Sequence, residues 1–143
     1  MRFVDESDVT SVPADPGSFS AGVQVSAILP VITADGMRAN RFVYPPGARS
    51  HWHTHDGEQA LYVVAGRGVV QREGEDVGRL VLPGSWVHVE PGERHWHGAV
   101  HDDVLVHVAV TATGGTAWGD PVTEQDYDAA QRWQPSGPPA GER

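Results

Sequence analysis

Short apolar segments separated by glycine and proline residues recur along the chain, and they constrain its fold more than any other feature. They are GVQVSAIL, MRANRFVY, ALYVVAG, GVVQREG, GRLVLPG, WVHVEPG and VLVHVAV. Segments of this length, rich in valine or alternating in polarity, are typical of β-strands bounded by turns. No segment is long enough for the crossover helices of βαβ units. The pattern therefore predicts an all-β antiparallel sandwich or barrel.

The length of the chain favours one domain with one hydrophobic core, because 143 residues lie within the usual single-domain range. We expect residues 1–22 to form an N-terminal arm, residues 23–120 the domain, and residues 121–143 a C-terminal helix and a disordered tail. At most one short helix is predicted, near Thr123 to Gln131, where Thr123 and Asp126 have the spacing of a capping box. The tail QPSGPPAGER is polar and rich in proline and glycine, which favours disorder.

Charge and residue usage exclude several classes of function. The formal net charge is -9 with only 10 lysines and arginines, which argues against nucleic acid and anionic membranes as partners. There are no cysteines, so disulfides and thiolate metal ligands are excluded. No secretory leader or membrane-spanning run is visible in the sequence. We therefore expect a cytoplasmic protein that binds a small molecule.

The eight histidines include two groups with alternating spacing. Because successive side chains of a strand alternate between faces, His51, His53 and His55 in HWHTH would share one face. Gln59 follows four residues later, at the start of an apolar strand, and a hairpin would bring it beside the histidines. In the segment RHWH, His95 and His97 again share a face, so a partner strand offers a further ligand. The spacing indicates a metal site.

The same residues resemble the two motifs of the cupin superfamily, over about residues 23–110. In the first motif the glycines, the two histidines and the acidic ligand correspond to Gly47, His53, His55, Gln59 and Gly66. In the second, the two glycines and the histidine correspond to Gly84, Gly92 and His95. The departures are Gln59 at the usual glutamate, Glu90 at the usual proline and Ala99 at the usual asparagine. The resemblance implies a jelly-roll fold, one divalent metal ion held by His53, His55, Gln59 and His95, and a homodimer.

The remaining candidates leave several alternatives open. His51 could be a fourth imidazole ligand, could lie above the metal as a catalytic group, or could be exposed. His107 could be a neutral core histidine or a catalytic base in the pocket. His97 could orient the ligands or face the pocket, whereas His88 and His101 carry no hypothesis. Glu58 is a competing oxygen ligand, but its position one residue before Gln59 puts it on the opposite face, towards solvent.

The ligand types favour Lewis-acid chemistry over oxygen activation. Three neutral imidazoles and an amide would leave the full charge on a divalent ion, which would suit polarisation of a carbonyl or binding of an enolate. Gln59 cannot accept a proton, so a base would have to be His51 or His107. Zinc fits a Lewis acid without redox chemistry, and manganese, iron and nickel remain alternatives.

Within the superfamily, WHTH, Gln59 and GERHWHGA resemble two kinds of small metal cupin, the hydroxynitrile lyases and the actinomycete polyketide cyclases of resistomycin type. The resemblance implies a pocket histidine at His107 and substrate contacts at Asn40, Phe42 and Thr111, and we expect Leu61 in the pocket wall. His51 and Phe42 depart from the smaller residues usual in that group. We expect an enzyme that cyclises and dehydrates an aromatic polyketide in antibiotic biosynthesis. The alternatives are a hydroxynitrile lyase, a dioxygenase of quercetinase type, and a binding module without turnover.

Overall fold

The computed structural model describes residues 1, 3–29 and 36–133 of the chain. Along these residues lie a short 3-10 helix, eleven strands and one α-helix. The 3-10 helix is Glu6–Asp8 and the α-helix is α1 (Glu124–Ala130). The strands are β1 (Ser11–Pro13), β2 (Gln24–Leu29), β3 (Arg38–Tyr44), β4 (His53–His55), β5 (Gln59–Gly66), β6 (Gly68–Arg72), β7 (Arg79–Val81), β8 (Trp86–Val89), β9 (His95–Ala99), β10 (Leu105–Thr111) and β11 (Thr116–Trp118).

The strands form two antiparallel sheets that pack face to face. One sheet has the order β1-β2-β3-β10-β5-β8 and the other has the order β11-β4-β9-β6-β7. This confirms the predicted antiparallel sandwich, and each of the seven apolar segments contains a strand. The two histidine segments form β4 and β9, as their alternation indicated. No helix in the part of the chain described here has the length and apolarity needed to cross a membrane.

The hydrophobic core fills the space between the sheets, and a second cluster attaches the helix. Between the sheets, Tyr44, Val63 and Leu105 are fully or almost fully buried. On the outside of the second sheet, Trp96 and Tyr127 pack together with their ring centroids 6.0 Å apart. The helix is the one predicted, and the Oγ1 atom of Thr123 accepts a hydrogen bond from the backbone N–H of Asp126. The predicted disordered tail, residues 134–143, lies outside the described residues.

Strand register determines which side chains reach the space between the sheets. In the first sheet, Arg38 of β3, Thr111 of β10 and Gln59 of β5 lie side by side. In the second sheet, His53 of β4 is the Cα partner of His95 of β9. Since both rows face inward, the two sheets bring Gln59 and the histidines of HTH and HWH to one end of the sandwich.

Candidate metal centre

Four histidine side chains meet between the sheets. The ring centroid of His53 lies 4.3 Å from that of His95, 5.0 Å from that of His55 and 5.2 Å from that of His97. All four side chains are buried. The alternation of β4 and β9 produces this cluster, because each strand presents two histidines separated by one residue to the same interior face.

The hydrogen bonds of three of these rings leave one ring nitrogen free for a metal. The Nδ1 atom of His53 donates to the carbonyl oxygen of His51 at 2.8 Å, and that of His95 donates to the carbonyl oxygen of Glu93 at 2.8 Å. A carbonyl can only accept, so these bonds place the proton of each neutral ring on Nδ1 and a lone pair on Nε2. The Nδ1 atom of His55 lies 3.0 Å from Oγ1 of Thr116. The Nε2 atoms of His55 and His95 are buried without a hydrogen-bond partner among the described residues.

Gln59 presents an oxygen in the same way. Its Nε2 atom donates to Oγ1 of Thr111 at 3.0 Å, which fixes the orientation of the amide. Its Oε1 atom is buried and has no partner among the described residues. A buried acceptor without a donor costs about 1–3 kcal/mol, so three such atoms in one cluster fit a site built for a cation. The donor set of imidazole nitrogens and an amide oxygen suits zinc and its neighbours in the first transition series.

His97 belongs to the cluster but differs from the other three in its hydrogen bonds. One nitrogen each from His53, His95 and His97 lie within 4.8 Å of one another, so these three histidines could also bind a metal ion. However, the Nδ1 atom of His97 lies 3.0 Å from the hydroxyl of Tyr44, which is fully buried and has no other hydrogen-bond partner in the described chain. Donation by that hydroxyl places the proton of neutral His97 on Nε2, where the ring is a donor rather than a ligand.

Burial keeps these rings neutral. Desolvation, with the neighbouring His95 as the second cause, lowers the pKa of His53 to about 2. Desolvation, with His95 and Arg38 as further causes, lowers the pKa of His55 to about 4. The pKa values of His95 and His97 are also lowered, above all by burial. Neutral imidazole is the form that binds a metal, so the folded site is ready for an ion without losing protons first.

A cavity of about 270 Å³ opens onto the cluster. Of the predicted substrate contacts, Asn40, Phe42 and Thr111 line it. Leu61 does not line it but lies in the core beside the cavity wall, since Ala109 is its neighbour on β10. The described residues that line it are Ala14, Asp15, Phe19, Val25, Arg38, Asn40, Phe42, His53, His55, Gln59, His97, Ala109, Thr111, Thr116 and Trp118.

The position of His51 differs from the one its spacing predicted. The strand β4 begins at His53, so the alternation that puts His53 and His55 on one face does not extend back to residue 51. His51 lines a separate cleft with Pro121 and Val122 and is not among the residues that line the cavity at the cluster. Its contribution to the cluster is its carbonyl oxygen, which accepts from His53. Glu58 also lies away from the cluster, exposed and 3.8 Å from His88.

His107 lies behind the wall of the cavity rather than on it. Its side chain is buried, and its ring is 5.4 Å from that of Phe42 and 5.3 Å from that of Tyr44. Its Nε2 atom lies 3.3 Å from Nδ1 of His97, which does line the cavity, and its Nδ1 atom has no partner among the described residues. Burial lowers its pKa to about 3. His107, which we expected to act as a base in the pocket, therefore does not line the cavity but contacts His97, which does.

Sequence reasoning missed the part of the cavity wall that comes from distant segments. Phe19 of the N-terminal segment and Trp118 of β11 have ring centroids 5.2 Å apart, and Trp118 lies 4.6 Å from His53. Thr116 of the same strand holds His55. Only the short alternation in TAW could have indicated β11, and no local signal connects that strand to β4.

Comparisons with known proteins agree with this geometry. Residues 40–111 match the model of the cupin domain family. An (R)-mandelonitrile lyase from Granulicella tundricola is 44% identical over 87 residues, which are 59% of this chain and 66% of that protein. The match therefore spans just under two thirds of the length of that relative.

Two solved structures illustrate the fold. A cupin-like protein from Thermotoga maritima is 32% identical, with a TM-score of 0.81, and the superposition covers 85% of this chain and 94% of that one. The polyketide cyclase RemF from Streptomyces resistomycificus is 19% identical, with a TM-score of 0.70, and covers 90% of this chain and 91% of that one. At 19% identity, the similarity to RemF concerns the fold alone.

Proposed function

The chain belongs to the cupin family, and on that premise we propose that it is a metal-dependent lyase that breaks or forms a carbon–carbon bond next to a carbonyl group. The observation that carries the proposal is a set of buried atoms without a partner among the described residues, Nε2 of His55, Oε1 of Gln59 and Nε2 of His95. His55 and Gln59 line the cavity beside the cluster. Its relative of 44% identity is a lyase by name.

The ion that we propose is a single zinc, with manganese, iron and nickel as alternatives. We assign it to His53, His55, Gln59 and His95. Hydrogen bonds direct a lone pair of His53, Gln59 and His95 at the cluster, and Nε2 of His55 is buried there without a partner among the described residues. When bound, a divalent ion supplies Lewis acidity to a carbonyl or alkoxide oxygen. Since Gln59 is neutral, the ligands would cancel none of the charge that makes the ion an electrophile.

The side chains of the cavity would then orient the substrate and handle its proton. Phe42, Phe19 and Trp118 form an aromatic wall, with Phe19 and Phe42 stacked at 5.5 Å, and this wall suits a flat or aromatic substrate. His97 lines the cavity and can donate from Nε2 to a substrate oxygen. His107 lies behind His97, with its Nε2 atom 3.3 Å from Nδ1 of His97, and its proposed role is to orient His97 for this donation.

A polyketide cyclase is the second candidate, because aldol closure and dehydration require the same combination of Lewis acid and base. The aromatic wall supports it as well. The cavity of about 270 Å³ favours the lyase, since sites for drug-sized ligands typically begin near 300 Å³. A substrate of one aromatic ring fits this volume better than a folded polyketide chain.

The proposal is tested with mandelonitrile as the substrate and the release of benzaldehyde followed by absorbance. We expect release above the uncatalysed rate in protein loaded with zinc or manganese, and its loss on addition of a chelator. Substitution of the exposed His88 by alanine is the matched control and should leave the rate unchanged. Metal-loaded protein that releases no benzaldehyde would contradict cleavage of a neutral cyanohydrin, and oxygen consumption with a flavonol would indicate the dioxygenase instead.

We also propose that the chain forms a homodimer. On the outer face of the first sheet, the rings of Tyr62 and Trp86 pack with their centroids 4.6 Å apart, and Trp86 and Val64 keep 68% and 49% of their surface exposed. Apolar patches of this kind often mark protein interfaces. Light scattering should give twice the chain mass of 15.4 kDa, and Trp86→Glu should shift it towards the monomer. A monomeric mass at millimolar concentration would contradict the dimer.

A further inference from the structure

Arg38 places a positive charge in the cavity beside the histidine cluster. It lies on β3, next to Thr111 of β10, in the row that also contains Gln59 of β5, and it lines the cavity with them. Its strand neighbour on the outer face, Arg41, points away and forms a bidentate ion pair with Glu6. The two arginines therefore share a strand and a charge, but Arg38 lines the cavity whereas Arg41 is paired with a carboxylate on the outer face.

The guanidinium of Arg38 is held by neutral groups. Its Nη1 atom donates to the carbonyl oxygen of Gly114 at 2.9 Å, and its Nη2 atom donates to Oγ1 of Thr116 at 3.3 Å. These bonds use two of the five N–H donors of an arginine. Within residues 1, 3–29 and 36–133, no carboxylate lies within 4.0 Å of this guanidinium. The side chain is fixed in position, yet its charge is not neutralised by an ion pair in the described chain.

Asp15 is the acidic residue among the described residues that line the cavity, and it does not form an ion pair with Arg38. The two carboxylate oxygens of Asp15 accept hydrogen bonds from the backbone N–H of Gly17 at 3.0 Å and from Oγ of Ser18 at 3.2 Å. Both carboxylate oxygens of Asp15 therefore accept hydrogen bonds from residues of its own turn rather than from Arg38. With a divalent ion on four neutral ligands, the cavity would hold a net positive charge even after Asp15 is counted.

Arg38 is also connected to the proposed metal site. Thr116 accepts from Arg38 and lies 3.0 Å from Nδ1 of His55, so one hydroxyl links the guanidinium to a candidate ligand. A group bound by the free donors of Arg38 would therefore be close to the cluster. An anion would bind these free donors more strongly than a neutral group would, because a charged hydrogen bond contributes more than a neutral one.

We infer that the substrate carries an anionic group, a carboxylate by chemistry, which pairs with Arg38 while its carbonyl or hydroxyl oxygen faces the histidine cluster. The substrate class is then a 2-oxo or 2-hydroxy acid, or a 3-oxo acid, with an aromatic or apolar remainder. A guanidinium suits this group because its planar donors match the two oxygens of a carboxylate. The inference rests on the proposed function only in using the same cavity.

The test compares the binding of mandelate and mandelamide, which have similar shapes and differ in charge, by titration calorimetry. A metal ion also prefers the carboxylate, so the decisive quantity is the ratio of the two affinities and its change on substitution. We expect Arg38→Gln to lower the affinity for mandelate about 10- to 100-fold, the range of a charged hydrogen bond. The affinity for mandelamide should change less than about twofold, as for a ligand without the charge. Arg41→Gln is the matched control and should change neither affinity.

Zinc content and thermal unfolding are measured on each variant, so that a loss of the metal site is distinguished from a loss of the anion site. Should Arg38→Gln not fold, Arg38→Met replaces it as the neutral variant. An unchanged affinity ratio in a folded, zinc-loaded variant would overturn the inference. The same titration of metal-free protein separates the two proposals: a ratio that still depends on Arg38 supports the anion site even if the chain proves to bind no metal.

Discussion

Replacing His53 by alanine is expected to reduce zinc affinity by more than about 100-fold, because loss of a partner in the outer shell of a metal site alone costs 10- to 100-fold. His53 lies at the centre of the cluster, and its ring is within 5.2 Å of the rings of His55, His95 and His97. The measurement is competition for zinc with a coloured chelator, on protein shown by circular dichroism to be folded. Zinc affinity in the variant equal to that of the unchanged protein would contradict the site.

A pair of further variants decides which ligands are used. If His53, His55, Gln59 and His95 hold the ion, His55→Ala should lose zinc about as strongly as His53→Ala, and His97→Ala should retain it. If the ion is held by His53, His95 and His97 instead, the pattern reverses. The proton that Tyr44 directs to Nε2 of His97 is the reason for expecting the first result. His88→Ala, which removes an exposed histidine, is the control for both.

The metal-free protein is expected to lose stability steeply in mild acid. The folded-state pKa values of His53, His55 and His107 are lowered to about 2, 4 and 3 by burial, against about 6.5 in the unfolded chain. Between these values the unfolded chain binds more protons, so the stabilising contribution is complete above about pH 6.5 and declines as the pH falls. Each ring costs at most about 1.4 kcal/mol per pH unit.

At pH 5 the three rings together would cost at most roughly 6 kcal/mol, comparable with the whole stability of many domains. The measurement is urea unfolding in the presence of a chelator at pH 7, 6 and 5. His107→Gln should reduce the dependence on pH by the share of one ring, and His88→Ala should leave it unchanged. A free energy of unfolding that stays constant from pH 7 to pH 5 would show that the rings are not buried in neutral form.

The strands could be predicted from the sequence because their signals are local. Each apolar segment contains its own alternation and its own turn residues. Gly66 is an example of a turn position that requires glycine. Gly66 ends β5 with φ of 78°, and a side chain there would collide with the carbonyl oxygen of Val104. The pairing of His53 and His55 on one face could also be predicted, since a strand of three residues is enough to define it.

What could not be predicted depends on contacts between segments far apart in the chain. Arg38 reaches Gly114 and Thr116 across more than 70 residues, so its position at the cavity has no local signal. For His51, the local signal extends too far. The alternation in HWHTH predicts that His51 shares a face with His53 and His55, but β4 begins only at His53. His107 shares an inward face with cavity residues, as expected, but it does not line the cavity and instead contacts Phe42 and His97, which do.

Elemental analysis of the purified, desalted protein tests the central claim most directly. At pH 7.5 we expect one divalent first-row transition metal ion per chain, or uptake of one zinc per chain by protein that has been treated with a chelator. The same measurement on His53→Ala should give less than a tenth of that amount, as expected for an affinity lowered by about 100-fold or more. A folded chain that contains no such ion and takes up none when zinc, manganese, iron or nickel is supplied would contradict the account.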